Sequence, residues 1–228
     1  MTPDLVIFDK LDSSAEEVAQ VKASGAKVVC LEDLGPGAGL ADLTINELYA
    51  PTRNVFDHDY DGPRWAVLRP EFCGLPDYRV REKADRILVT FGGTDPSGLT
   101  ERVAPLLQDY YHLRVISGGQ VVSMASEMRW ADLVVSSAGR TAHEAAACGV
   151  PCITIAANAR ESTHSHCPGI LRMGLHNTLS DEQIVRTIES VMKDFDRRSE
   201  MSETARAAVD GKGLQRIVAR IESLLEGL

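Results

Sequence analysis

The stretch Arg86-Ile-Leu-Val-Thr-Phe-Gly-Gly-Thr-Asp-Pro-Ser-Gly-Leu-Thr100 constrains this chain more than any other. Residues 87–91 are a short apolar, β-rich run of the kind that makes a buried parallel strand, and the run ends on Gly92-Gly93, where the backbone must turn. Thr94, Asp95 and Ser97 are candidate N-caps, and Pro96 suits an early helical position. Strand, glycine turn and helix start in that order aim backbone N–H groups from the positive end of a helix, which is a place for a phosphate. The stretch lacks the Gly-x-Gly-x-x-Gly spacing of a dinucleotide fingerprint and the Gly-Lys-Ser/Thr ending of a P-loop. Alone, it reads as an ordinary strand-to-helix turn.

The rhythm it belongs to runs along most of the chain. Strands are predicted at 5–8, 27–31, 43–46, 87–91, 113–116, 133–135 and 151–155. Helices are predicted from the Ser13/Ser14 capping boxes to Gly25, and near 98–108, 121–129 and 141–148. Such alternation means parallel sheets with right-handed crossovers. The end of the chain is helical: Ile184, Ile188 and Val191 line one face after Ser180, and Leu214, Ile217, Val218, Ile221, Leu224 and Leu225 line another. The rhythm breaks over 50–84. The expected organisation is therefore a partial N-terminal Rossmann-like unit over 1–50, an inter-domain connection over 51–84, and a C-terminal Rossmann-like domain with terminal helices over 85–228.

The 228 residues carry a net charge of −9 with no basic block, which argues against nucleic acid and anionic membranes as partners. No apolar run approaches the ~20 residues of a membrane span. The five cysteines sit singly in apolar runs, a pattern of reduced cytoplasmic thiols. His58 and His112 read as surface residues. His164, His166 and Cys167 lack a fourth ligand at zinc-finger spacing, so no metal and no cofactor is expected.

A second loop repeats the first. Residues 133–135 lead into Ser136-Ser137-Ala138-Gly139-Arg140-Thr141-Ala142-His143-Glu144, then a helix and Gly149-Val150-Pro151. Glu144 has two readings: the distal half of a Thr141-x-x-Glu144 capping box, or an acceptor for ribose hydroxyls. A third polar cluster, Asn158-Ala-Arg160-Glu161-Ser-Thr-His164-Ser-His166, follows the next strand. Three polar loops at strand ends on one sheet edge mark where ligands bind.

These residues together resemble a known family. Phe91-Gly92-Gly93-Thr94-Asp95, the loop Ala138-Gly-x-Thr141-x-x-Glu144 with Gly149-Val-Pro151, and Asn158-x-Arg160-Glu161-x-x-His164 look like the C-terminal domain of a nucleotide-sugar family. That family includes the UDP-2,4-diacetamido-2,4,6-trideoxy-beta-L-altropyranose hydrolase of pseudaminic acid biosynthesis and the glycosyltransferase-like proteins of spore-coat polysaccharide biosynthesis. It is distantly similar to the lipid II N-acetylglucosaminyltransferase. Leu68-Arg-Pro-Glu-Phe72 is similar to the family's domain-linking segment. The resemblance implies an α/β, GT-B-like fold of two Rossmann-like units, the N-terminal one incomplete.

It also implies roles. Gly92, Gly93, Thr94, Gly139, Arg140, Thr141 and Glu144 would contact the nucleotide, Glu144 at the ribose. Asp95, Asn158, Arg160 and Glu161 would face the sugar. Arg140 stands where the hydrolase usually has glycine and resembles a variant fused to a sialic-acid-type cytidylyltransferase, which makes a nucleotidyltransferase an expected partner. The family's Gly-His loop with its general base does not precede Leu5, leaving His164 and His166 as internal stand-ins, His164 on the sugar side. The implied function is handling of a UDP-sugar, as a hydrolase, a glycosyltransferase, or a non-catalytic binding module of a larger biosynthetic protein.

Overall fold

The computed structural model describes residues 3–49, 59–118, 123–164 and 166–226, which form two compact units. The first takes Met1–Val67 with Lys212–Leu228, the second Leu68–Gly211. His58 lies outside the described residues, as do parts of the expected 51–84 connection and of the 121–129 helix.

In the first unit, β1 (Leu5–Asp9), β2 (Lys27–Leu31), β3 (Leu43–Asn46) and β4 (Asp59–Asp61) lie side by side in chain order, all parallel. Helix α1 (Ala15–Ala23) starts at Ser14, whose hydroxyl accepts the Glu17 amide while the Glu17 carboxylate accepts the Ser14 amide. Of the two overlapping capping boxes, only this one forms. Ser13 is withdrawn into the core, where its amide and hydroxyl donate to the buried Asp33 carboxylate.

The second unit holds β5 (Arg86–Thr90), β6 (His112–Val115), β7 (Leu133–Ser136), β8 (Cys152–Ala156) and β9 (Ile170–Leu175), again all parallel, in the order β6-β5-β7-β8-β9. Five helices accompany them: α2 (Leu99–Leu107), α3 (Met124–Trp130), α4 (Arg140–Cys148), α5 (Asp181–Lys193) and α6 (Phe195–Ala208). β7 and β8 are buried along their whole length. Ile87, Val89, Leu133, Val135, Ile153 and Ile155 of the sheet pack with Val103 and Leu107 of α2 and with Ile184, Ile188 and Val191 of α5.

The division differs from the sequence-based boundaries at both ends of the second unit. Helix α7 (Gly213–Leu225) belongs to the first unit, because Ile217, Ile221 and Leu224 pack with Val29, Leu43 and Ile45. Its approach is close: a Cβ on Gly213 would lie 2.2 Å from the Ala66 carbonyl oxygen. Residues 68–84, read as connection, group with the second unit. Arg198 of α6 is one reason. It is fully buried, and its guanidinium donates to the Arg81 (2.9 Å) and Glu82 (3.1 Å) carbonyls and to those of Val191 (3.0 Å) and Met192. Buried Asp132 is another, accepting from the Arg81 side chain (2.7 Å) and from the Asp85 and Arg86 amides (3.0 Å each).

The order of the second sheet sets the place of the site. From β5 the chain crosses outward to β6 and then returns to the other side of β5 to lay down β7. The crossovers diverge at the carboxyl ends of β5 and β7, and such a switch point opens a crevice for a ligand. The ends of β5, β7 and β8 are neighbours there.

Candidate functional site

The first loop leaves β5 through Phe91 and turns at Gly92, whose φ of +86° favours glycine. A Cβ on Gly92 or Gly93 would meet nothing within 4 Å, so the space beside this turn is open, and Gly93 and Thr94 are exposed. Asp95, expected to face the sugar, also caps a helix. Its Oδ1 accepts the Leu99 amide (3.0 Å) and its Oδ2 the Thr100 amide (2.7 Å), so both oxygens close the start of α2. The Ser97 hydroxyl donates to the Ala157 carbonyl (2.7 Å) and ties this loop to the one after β8.

The second loop leaves β7 through Ser137 and Ala138 and reaches Gly139, the N-cap of α4, which offers no side-chain cap. Helix α4 begins at Arg140, two residues before the position that a Thr141 cap would require. The Thr141-x-x-Glu144 capping box therefore does not form, and Glu144 is released for other contacts. Its Oε1 faces the Arg69 guanidinium, 3.2 Å from Nη2 and 3.4 Å from Nε. Burial pushes the Glu144 carboxyl above the ordinary carboxylate range, with Arg69 pulling the other way.

The third loop is largely self-bonded. Asn158 Oδ1 accepts the Glu161 amide (2.9 Å), and Glu161 Oε2 accepts the Ala157 (2.8 Å) and Ala138 (3.3 Å) amides. Of these residues expected at the sugar, Glu161 joins the second loop to the third, Asn158 bonds within the third, and Arg160 is exposed. His164 is buried at 9% exposure with Nδ1 2.6 Å from the Ala138 carbonyl. A carbonyl only accepts, so Nδ1 carries the proton and Nε2 presents a lone pair. Burial lowers the His164 pKa and favours that neutral form. The first, second and third loops are thus bonded to one another at adjacent strand ends.

Two residues that sequence reasoning passed over belong to this neighbourhood. His143 is 2% exposed, its pKa lowered to about 4 by burial first, then by His164 and Arg140. Its Nδ1 has no hydrogen-bond partner among the described residues. The signal was available: His143 is the one ring in the small-residue helix segment 141–148. Arg69 was hidden by the reading of its segment as a domain link. Among the described residues, no group of three or more His, Cys, Asp or Glu could hold a metal ion, and no helix is long and apolar enough to cross a membrane.

No family model matches the chain. The spore coat polysaccharide biosynthesis protein SpsG of Bacillus subtilis (strain 168) is 27% identical over 262 residues, which cover 98% of this chain and 77% of SpsG. The chain is similar to SpsG over nearly its whole length. Among solved structures, the chain is similar to Acinetobacter baumannii MurG, with a TM-score of 0.66 and 17% identity, covering 96% of this chain and 73% of that one. It is also similar to MnaA of S. aureus, solved with UDP, with a TM-score of 0.58 and 13% identity over 99% of this chain and 77% of that one. Those likenesses show the fold, which is α/β and GT-B-like with two parallel-sheet units.

Proposed function

We propose that the second unit binds a nucleotide sugar, with uridine as its nucleoside, and that the protein serves surface-polysaccharide or nonulosonic acid biosynthesis. The observation that carries this is the switch point between β5 and β7. Two loops there bring small residues to helix starts, and Glu144 stands on the first turns of α4 without a capping role. In this reading Gly92, Gly93 and Thr94 meet the diphosphate from one side and Gly139, Arg140 and Thr141 from the other, where the positive helix end favours an anion. Glu144 takes the ribose hydroxyls, and Arg160 meets the sugar. The SpsG relationship supports the biosynthetic setting, and the UDP carried by MnaA supports the choice of nucleotide. The five free cysteines support a cytoplasmic compartment.

The reaction we assign is hydrolytic. A water oxygen bonds to the anomeric carbon, its proton passes to His164 Nε2, and the bond from that carbon to the nucleotide oxygen breaks. The departing diphosphate is stabilised by the helix ends. A nucleotidyltransferase is the class of enzyme that supplies such a substrate.

Titration calorimetry tests the binding half. UDP is expected to bind with a dissociation constant on the order of 0.1–1 mM, since a bare nucleotide makes only part of the contacts. Glu144→Gln is expected to lose roughly 1.5–3 kcal/mol of that binding, the range for a hydrogen bond to a charged group. No heat with millimolar UDP would overturn the site, and equal affinity for parent and Gln variant would remove Glu144 from it. Incubation with a UDP-sugar tests the reaction. Free sugar and UDP are expected, whereas sugar consumed only when an acceptor is added would make the protein a transferase.

A further inference from the structure

Arg69 opens a segment that is fixed in place. Pro70–Phe72 is a short 3-10 turn, Phe72 is buried, and Glu71 Oε2 accepts the Ser123 hydroxyl (2.8 Å) and the Ala125 amide (3.1 Å) at the start of α3. The Arg69 guanidinium lies 5.1 Å above the Phe72 ring, with Nη1 2.9 Å from Glu71 Oε1. Its other two nitrogens both address Glu144, and both address the same oxygen, Oε1. Among the described residues Glu144 Oε2 receives no hydrogen bond.

Charge indicates which part of a nucleotide meets this group. A cation between two carboxylates forms a cluster of net negative charge, which repels a diphosphate and is indifferent to hydroxyls. The cluster therefore belongs with the nucleoside. Resting on the reading of Glu144 as the ribose contact, we infer that Arg69 is a positioning residue of the nucleotide site, holding Glu144 by Oε1 so that Oε2 meets the ribose hydroxyls. The fork also favours the ionised form of the carboxyl. Burial pushes Glu144 toward its protonated form, Glu71 adds to that push, and Arg69 opposes both. Arg129 of α3 and Arg206 of α6 act on Cys148, one turn further along α4, whose thiol is pushed up to about 12 by burial and is neutral. Without Arg69 the acid form of Glu144 would set in at higher pH, and an acid form accepts fewer ribose hydrogen bonds.

The test is titration calorimetry of the full chain with UDP and with 2′-deoxy-UDP between pH 5 and 8, on the parent, Arg69→Gln and Arg69→Lys, with a thermal melt of each. The parent is expected to prefer UDP. Arg69→Gln is expected to bind UDP about tenfold more weakly, to lose most of its preference over the deoxy nucleotide, and to lose affinity at a higher pH than the parent on acidification. Its melting temperature should hold, because the Arg69 side chain is 55% exposed. Arg69→Lys should bring back the parent's pH profile. Arg69→Gln retaining the parent's preference and pH profile would overturn the inference while leaving UDP binding intact, and so would an equal loss on both nucleotides. A parent that binds no UDP would overturn the site and this inference together.

Discussion

Arg198→Ala is expected to destabilise the second unit by about 4 kcal/mol, a large part of the roughly 5–15 kcal/mol that holds a typical domain. The guanidinium is fully buried and donates to four backbone carbonyls, two in the segment leading to β5 and two at the end of α5. Alanine removes the donor of the Arg81, Glu82 and Met192 carbonyls, while the Val191 carbonyl keeps the Asp194 amide (3.2 Å), and each buried unsatisfied group costs ~1–3 kcal/mol, not fully additively. Arg198→Met fills the volume and should still lose most of that amount, since the Arg81, Glu82 and Met192 carbonyls lose their donor. Urea unfolding measures the effect as a fall in midpoint. A loss under ~1 kcal/mol for both variants would mean that the carbonyls find other donors.

Acid should weaken the second unit through His143. An imidazole held at a pKa of about 4 against an ordinary 6.5 resists protonation in the fold but not in the unfolded chain. Its contribution is therefore complete above pH 6.5 and is lost as pH falls from there toward 4. The size is roughly 3 kcal/mol, at 1.36 kcal/mol per pH unit of separation. His164, also lowered by burial, adds to the same slope. Unfolding free energy measured from pH 7.5 to 4.5 should fall for the parent and fall distinctly less for His143→Leu. Parallel curves would place the acid sensitivity elsewhere.

The fold was legible wherever burial wrote an apolar run into the sequence. β2 and β3 match their expected ranges, and β5, β7 and β8 fall within a residue of theirs. Three elements left no such mark. β4 is Asp-Tyr-Asp and pairs through its backbone. β9 contains Arg172 and a Gly174 with φ of +101°, beside an irregular register against β8. Helix α6 has no continuous apolar stripe because its buried face mixes Arg198 and Ser202 with Met201 and Ala205. At the site, the order of the loops and the capping role of Asp95 were readable, but the partners of Asn158 and Glu161 were not. Capping and loop-to-loop bonding use the same acidic and amide side chains as sugar recognition, and only coordinates separate them. Arg69 and Glu144 are far apart in sequence, so no local pattern could pair them.

The packing of α7 has a consequence for how the chain is made. The first unit is assembled from two stretches separated by the whole of the second, and a ribosome delivers that second unit before the last helix appears. Until then the apolar surface of Val29, Leu43 and Ile45 waits without its cover. A nonsense mutation at the start of α7 would accordingly strike β2 and β3, sparing the unit encoded immediately before it.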